Sequence, residues 1–171
     1  LIHCALDDMI PHMAVFIYPY VSWFPYIVLC AYLAIKNLDD RQFKKAVLVL
    51  TTGMNIFLFI SFVWPTGLNL REGIVYDLHT LSGNLLKFVQ TVDTPKSVFP
   101  SMHVYVTLVL QYTLEMQKKL VPSWGIWVGR VLAVLIVLST MFTKQHSVLD
   151  VSAAIVMFAV LAVVVETIVK K

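Results

Sequence analysis

Long apolar runs separated by short polar segments dominate the chain. A helix needs about 20 mostly apolar residues to cross a bilayer, and five stretches meet or approach that length. These stretches are residues 14–35, 46–64, 101–116, 124–142 and 147–169. The third of them is the shortest. The pattern predicts an all-α fold, a polytopic bundle of transmembrane helices with five spans in this chain.

The longest gap between these runs, residues 65–100, contains one further helical pattern. Apolar residues recur there at spacings of three or four, at Val75, Leu78, Leu81, Leu85, Phe88 and Val92. This one-sided spacing predicts an amphipathic helix. Because it would lie between membrane spans, we expect it to run along the membrane interface. A helix that merely packs on its neighbours fits the pattern equally well.

Composition excludes the other broad classes of protein. Of the 171 residues, 59% are hydrophobic and 13% are charged, against roughly 25% charged in an ordinary soluble domain. Polar residues are too few to cover a water-soluble domain, and disordered chains are poor in hydrophobic residues. A net charge of +3 is too small to indicate nucleic-acid binding. We therefore expect a single membrane-embedded domain over residues 1–171, in contact with bilayer lipids and with no nucleic-acid partner.

The distribution of cations predicts an orientation. Following the helices places eight cations on one side of the membrane: Lys36, Arg41, Lys44, Lys45, Lys118, Lys119, Lys170 and Lys171. Four lie on the other: Arg71, Lys87, Lys96 and Lys144. The positive-inside rule makes the first side cytoplasmic. Residues 1–13 would then begin outside without a signal peptide, so we expect a sixth span to precede Leu1.

Six ionisable residues map to the other, extracytoplasmic side and are candidates for function, because charges at membrane depth are costly. They are Arg71, Lys96, His103, Lys144, His146 and Asp150. His146 and Asp150 are four residues apart and share a helix face. A carboxylate bonded to one imidazole nitrogen leaves the other free as a nucleophile or base. The alternative is a pair that only bond each other.

The remaining candidates indicate a phosphate site. Pro100 and Ser101 at a helix start provide a cap and free N–H groups, which favour anions, and His103 can donate a proton there. Arg71 and Lys144 can hold phosphate oxygens. Ordinary capping, interfacial anchoring and, for Lys96, exposure to water are the alternatives. The histidine spacings and the two cysteines match no metal-binding pattern, so we expect no metal and no cofactor.

In combination the chain resembles the type-2 phosphatidic acid phosphatase superfamily, which has three motifs, K-x6-R-P, P-S-G-H and S-R-x5-H-x3-D. The second appears as Pro100-Ser101-Met102-His103, and the third keeps its spacing from Ser139 through His146 to Asp150. The first survives only at Arg71. Trp64, Glu72, Met102 and Thr140 replace the motif Lys, Pro, Gly and Arg. The Thr-Lys-Gln-His-x-x-x-Asp pattern resembles the branch near the inositol-phosphorylceramide synthases.

The resemblance implies roles for these residues. His146 would be the nucleophile that forms a phosphohistidine, Asp150 would orient it, and His103 would protonate the leaving oxygen. Arg71, Lys144, Ser101 and Lys96 would hold the phosphoryl oxygens, with Lys144 replacing the lost motif Arg. We expect the two imidazoles to meet across one anion-sized pocket on the extracytoplasmic or lumenal face.

The function implied is metal-independent cleavage of a lipid phosphate ester, such as phosphatidate or a polyprenyl phosphate or diphosphate. Transfer of a phospho-headgroup to an alcohol is an alternative, because the same three residues serve both reactions. A non-catalytic membrane protein that binds lipid phosphate is the alternative from another class. The sequence leaves the lipid, the acceptor and the oligomeric state open.

Overall fold

The computed structural model describes residues 1–169, and every regular element in that range is helical. Lys170 and Lys171, two of the eight cations assigned to the cytoplasmic side, lie outside the described residues. The helices are α1 (Ala5–Met9), a 3-10 turn (Ala14–Phe16), α2 (Ile17–Val21), α3 (Trp23–Asn37), α4 (Asp40–Val63), α5 (Leu81–Val92), α6 (Met102–Glu115), α7 (Ser123–Phe142) and α8 (Val148–Ile168). The predicted all-α bundle is confirmed.

Four segments of the described chain are long and apolar enough to cross a membrane: Ala14–Asn37, Asp40–Val63, Ser123–Phe142 and Val148–Ile168. The third predicted span differs. Its helix, α6, has 14 residues and is about 21 Å long at a rise of 1.5 Å per residue, short of the hydrocarbon thickness of about 30 Å. Within residues 1–169, four segments are therefore long enough to span a membrane and the third predicted span is a shorter helix, where the pattern predicted five spans.

α6 can be short because it lies at the centre of the bundle, packed on α3, α4, α7 and α8. Its contact with α4 is close: a Cβ added at Gly53 would lie 2.1 Å from Cζ of Tyr105. The Tyr105 hydroxyl donates a 2.5 Å hydrogen bond to the carbonyl of Val49. These contacts fix the position of α6 against α4, and with it the position of His103 in the first turn of α6.

The short connection between α7 and α8 places His146 beside the start of α6. The N–H groups of Gln145 and His146 both bond the carbonyl of Thr140, at 2.9 and 3.0 Å. Ser147 caps α8 by accepting from the Leu149 N–H, while Asp150 Oδ2 accepts from the Ser147 N–H at 3.0 Å. This reciprocal pair is a capping box.

A backbone hydrogen bond joins the starts of α6 and α8. The N–H of Ser101 donates to the carbonyl of Asp150 at 3.1 Å. Ser101 is the N-cap of α6 and Asp150 lies in the first turn of α8. The segments that match the second and third sequence motifs, residues 100–103 and 139–150, therefore meet at one end of the bundle.

The predicted amphipathic helix is present as α5, which begins at Leu81 rather than at Leu78. Its Leu86 is fully buried in a cluster with Ile17 and Tyr20. The apolar stripe of the sequence pattern mostly points outward: Leu81, Phe88 and Val92 are 71%, 65% and 69% exposed. One face of α5 thus packs on its neighbours while a second, apolar face remains available to lipid.

Candidate active site

His103, His146 and Asp150 form a continuous chain of contacts. His146 Nδ1 lies 3.4 Å from Asp150 Oδ2, and its Nε2 lies 3.5 Å from His103 Nδ1. The two imidazole centroids are 5.7 Å apart. Asp150 is fully buried, and its Oδ1 has no hydrogen-bond partner among residues 1–169. The arrangement gives one imidazole a carboxylate behind it and a second imidazole in front.

His103 is held on its other side by Tyr20. The Tyr20 hydroxyl lies 3.0 Å from His103 Nε2 and donates to Asp93 Oδ2 at 2.9 Å. The rings of Tyr20 and Trp23 pack against the imidazole at centroid distances of 4.9 and 4.6 Å. Three separate segments, α2, α3 and the end of α5, therefore set the position of this ring.

A cavity of about 250 Å³ opens beside the two histidines. Its polar lining comes from eight residues: Arg71, Asp93, Thr94, Lys96, Ser97, His103, Gln145 and His146. Phe57 and Met102 contribute apolar surface. The cavity combines two imidazoles with two cations, and cationic side chains bind phosphate oxygens through charge-assisted hydrogen bonds.

Arg71 extends into this cavity from the loop between α4 and α5. Its Nη1 donates to the carbonyl of Asp93 at 2.5 Å, and its Nη2 donates to Gln145 Oε1. Its Nε lies 3.4 Å from the carbonyl of Lys144. Burial lowers the pKa of the Arg71 guanidinium, and the carboxylate of Asp93 opposes that change. The group stays charged because an arginine guanidinium is not deprotonated in proteins.

Lys96 lines the same cavity from a loop that is held by a neighbouring loop. Gly67 and Lys96 form an isolated antiparallel bridge, and the Ser97 N–H donates to the carbonyl of Thr66 at 2.6 Å. Lys96 is exposed. The lysine therefore lies at the exposed rim of the cavity.

The structure places two other predicted phosphate ligands elsewhere. Lys144 Nζ donates to the carbonyls of Asp7 and Ile10, both at 2.6 Å. It borders a separate cavity of about 600 Å³. The helix around Thr140 ends at Phe142, so Lys144 does not continue the helical face from which it was predicted to replace the motif Arg. Ser101 is fully buried, and its hydroxyl caps α6 by accepting from the Val104 N–H at 3.3 Å.

Several residues of this region were not predicted from the sequence. Tyr20 carries the pattern of an interfacial aromatic residue, and Asp93 lies 73 positions away from it, so no spacing connects them. Gln145 directly precedes His146, and that adjacency is the one signal that pointed to it. Among residues 1–169, no group of three or more His, Cys, Asp or Glu side chains is arranged to hold a metal ion.

Asp7 supports the site from behind. Its carboxylate accepts from Ser147 Oγ at 2.6 Å, from the Val148 N–H at 2.8 Å and from the Cys4 N–H at 2.8 Å. Burial raises the pKa of this carboxyl, but the hydrogen bonds outweigh burial and hold the pKa below its ordinary value. Asp7 thus ties the first helix to the start of α8, one residue from His146.

Comparison with known proteins agrees with the arrangement of the motifs. The family model described as the PAP2 superfamily matches residues 5–164, a range that contains both histidines, Asp150 and Arg71. No curated protein and no solved structure matches the chain. The match extends to the superfamily and does not reach the inositol-phosphorylceramide synthase branch.

Proposed function

Because the chain belongs to the PAP2 superfamily of type-2 phosphatidic acid phosphatases, we propose that it cleaves a lipid phosphate ester without a metal ion, through a phosphohistidine on His146. Family membership and four membrane-spanning helices support lipid phosphate chemistry at an integral membrane protein. The observation that carries the residue assignment is the 3.5 Å approach of His146 Nε2 to His103 Nδ1 beside a cavity containing Arg71.

His146 is the proposed nucleophile because of the carboxylate behind it. Asp150 Oδ2 faces Nδ1, so the neutral imidazole carries its proton there and presents a lone pair on Nε2. In the first step, Nε2 forms a bond to phosphorus and the ester P–O bond breaks. The leaving oxygen takes a proton from His103 Nδ1, and Asp150 stabilises the positive charge on the phosphorylated imidazole.

The second step returns both imidazoles to their starting states. A water molecule loses a proton to His103 Nδ1, and its oxygen bonds to phosphorus as the N–P bond breaks. Inorganic phosphate leaves if the acceptor is water. If the acceptor is an alcohol, its oxygen bonds to phosphorus instead: a phosphate monoester donor then gives the phosphate monoester of that alcohol, and a phosphodiester donor, which keeps one ester on phosphorus, gives a new phosphodiester. The same three side chains serve both acceptors.

Arg71 and Lys96 are the proposed phosphate ligands. Phosphoryl transfer depends mainly on positioning and on stabilising charge at the three non-bridging oxygens. The Arg71 guanidinium is already oriented by Asp93 and Gln145, so little reorganisation is needed when the anion binds. Removing one such donor costs about 2.7–4 kcal/mol of barrier in comparable oxyanion sites.

Substrate has to widen the contact between the two imidazoles. A separation of 3.5 Å is hydrogen-bond contact, and a phosphoryl group with its leaving oxygen does not fit within it. The adjoining cavity of about 250 Å³ gives the headgroup a place to enter. We therefore expect the His103–His146 distance to increase when phosphate or vanadate is bound.

The cavity is proposed to face the extracytoplasmic or lumenal side. The other end of the bundle carries Lys36 at the end of α3, Arg41 and Lys44 at the start of α4, and Lys118 and Lys119 between α6 and α7. At that end, Asn37 Nδ2 donates a hydrogen bond to Gln117 Oε1, which links the end of α3 to the turn after α6. The excess of cations there favours a cytoplasmic location by the positive-inside rule.

The test is product formation by the purified full chain in EDTA. Phosphatidate and a polyprenyl diphosphate are supplied separately, with and without an alcohol acceptor. We expect phosphate release from at least one lipid, and a fall on the order of 10³-fold or more in His146→Ala, as for other nucleophile substitutions. His79→Ala is the matched control, because His79 is an exposed histidine on the loop before α5.

The products distinguish the candidate functions. A phosphate ester of the alcohol, formed in place of inorganic phosphate, identifies a phosphotransferase. The protein is a non-catalytic lipid-phosphate binder, and the proposal is overturned, if it binds vanadate but turns over neither lipid, and if His146→Ala leaves vanadate binding unchanged. An acid-labile, base-stable phosphoryl group on the wild type, lost in His146→Ala, is the result expected for the intermediate.

A further inference from the structure

The hydrogen bonds of the Tyr20 hydroxyl determine which ring nitrogen of His103 carries the proton. The Tyr20 hydroxyl contacts both Asp93 Oδ2, at 2.9 Å, and His103 Nε2, at 3.0 Å. A phenol has one proton, and an ionised carboxylate can only accept. The hydroxyl proton is therefore given to Asp93. The second contact then requires the imidazole to donate, from Nε2–H to the Tyr20 oxygen.

This assignment leaves Nδ1 as the working nitrogen of His103. A neutral imidazole with its proton on Nε2 carries the lone pair on Nδ1, and Nδ1 is the atom that faces His146 Nε2. When His103 is protonated, the added proton is on Nδ1 and points at the reacting group. The other tautomer would aim a lone pair at Tyr20 and leave that contact without a proton.

We propose that Tyr20 and Asp93 are positioning residues that hold His103 in the Nε2–H tautomer and support its positive charge while it acts as the general acid. This inference rests on the proposed function and adds a second carboxylate to it. Asp150 supports His146 directly, and Asp93 supports His103 through the Tyr20 hydroxyl.

Burial makes the arrangement specific. Tyr20 is 2% exposed and packs against Leu86 of α5 in a small apolar cluster. The orientation of its hydroxyl group is therefore restricted. The imidazole of His103 lies between the rings of Tyr20 and Trp23. Desolvated hydrogen bonds to a charged group are stronger than those in water.

Asp93 also connects the acid to the phosphate ligand. Its side chain accepts from Tyr20, while its backbone carbonyl accepts from Arg71 Nη1 at 2.5 Å. Asp93 directly follows α5. One residue at the end of α5 thus orients both the group that binds the phosphoryl oxygens and the group that protonates the leaving oxygen.

Several charged or titratable groups surround His103 and enter any pH profile. Tyr20 and Asp93 face Nε2, and His146 faces Nδ1. Arg71 and Lys96 face it across the cavity. When the support from Tyr20 and Asp93 is lost, nothing offsets the repulsion between these cations and protonated His103. The limb of the kcat profile that falls as pH rises should then move to lower pH, because the protonated acid is lost sooner.

The experiment compares Tyr20→Phe with Tyr18→Phe, a matched control on an exposed tyrosine of the same helix. On a lipid phosphate that the wild type turns over, Tyr20→Phe should lower kcat at least tenfold and change KM less than threefold. That loss is part of the 10²–10⁴ that general acid catalysis supplies. On an aryl phosphate, whose leaving group needs no proton, the loss should shrink to less than threefold.

A double variant separates positioning from a structural effect. In a His103→Ala background, Tyr20→Phe should cause little further loss, because the residue acts through His103. Asp93→Asn should reproduce the Tyr20→Phe pattern, and it serves as the test if Tyr20→Phe does not fold. Equal losses on alkyl and aryl phosphates, losses that multiply with His103→Ala, or Tyr20→Phe activity equal to that of Tyr18→Phe would overturn the inference. Any of these results in an active wild type leaves the proposed function standing.

Discussion

Arg71 and Lys144 carry the same charge at neighbouring places, yet their partners differ. Arg71 lines the cavity beside the histidines. Its Nε and Nη1 donate weak hydrogen bonds of 3.4 Å to the carbonyls of Lys144 and Gln90, and an anion can replace these bonds. Lys144 Nζ is bonded to two carbonyls of the first ten residues. Its backbone φ of 56° lies in the left-handed region that ordinary residues rarely adopt. Lys144 therefore acts as an anchor for the loop.

Vanadate inhibition tests this difference between the two cations. Hydrogen bonds to charged groups contribute about 1.5–3 kcal/mol, so Arg71→Ala should weaken vanadate binding by about 10- to 100-fold. Lys144→Ala should change it less than threefold, although it should lower the thermal stability of the protein. Lys87→Ala, on the exposed face of α5, is the control. A larger effect of Lys144→Ala than of Arg71→Ala would return Lys144 to the phosphate site.

At the scale of elements, the start of α8 is held by the first helix. The N–H groups of Ser147, Val148 and Leu149 donate to Asp150, Asp7 and Ser147 respectively. The first N–H groups of a helix form an anion site only when they are free. Because these three are occupied by side chains, the proposed phosphate site relies on Arg71 and Lys96 and not on the α8 terminus.

Asp7→Asn should show how much this attachment stabilises the protein. Losing a buried, charge-assisted set of hydrogen bonds costs about 1–3 kcal/mol, seen as a lower Tm in detergent at pH 7. The folded pKa of Asp7 is lowered, so its contribution is complete above the ordinary value of about 3.9. That contribution is lost as pH falls through the lowered value. The Tm difference between wild type and Asp7→Asn should therefore narrow on acidification.

Asp8→Asn is the control for this comparison. Asp8 neighbours Asp7 but forms an exposed contact with His3 at 2.9 Å, and exposed pairs contribute little. Equal Tm values for the two variants at pH 7 would show that the Asp7 carboxylate does not hold the first helix to α8.

For the whole molecule, the arrangement of charge and cavity predicts which side of the membrane carries the chemistry. The cavity lies at the end of the bundle where α6 and α8 begin. Lys118 and Lys119 lie in the turn between α6 and α7 at the opposite end. Apolar exposure is concentrated on the outer faces of the four long helices, as expected for surfaces in contact with lipid.

Labelling with a membrane-impermeant maleimide tests the orientation in intact cells. In a Cys4→Ser background, which retains only the buried Cys30, His79→Cys should be labelled from outside. Lys119→Cys should be labelled only after the membrane is opened. Both positions are exposed, so access to the protein surface is matched. The reverse labelling pattern would put the cavity on the cytoplasmic side.

The fold was more predictable than the partners within the site. The apolar runs predicted the four long helices, since local periodicity alone produces that signal. They also marked the third run as the shortest, but they did not predict that α6 would be surrounded by α3, α4, α7 and α8, because packing between helices leaves no local periodicity. The apolar stripe predicted a helix correctly, and its Leu85 packs against the core cluster, but the residue that is fully buried there, Leu86, is not part of the stripe.

The sequence by itself determined the helical class, the superfamily motifs and the pairing of His146 with Asp150, because each depends on spacing along one segment. Only the tertiary structure decided that Tyr20 and Asp93 meet at His103, and that Arg71 rather than Lys144 lines the cavity. These contacts join residues 73 to 137 positions apart. Which distant side chains become neighbours is set by how the helices pack, and no local pattern carries that information.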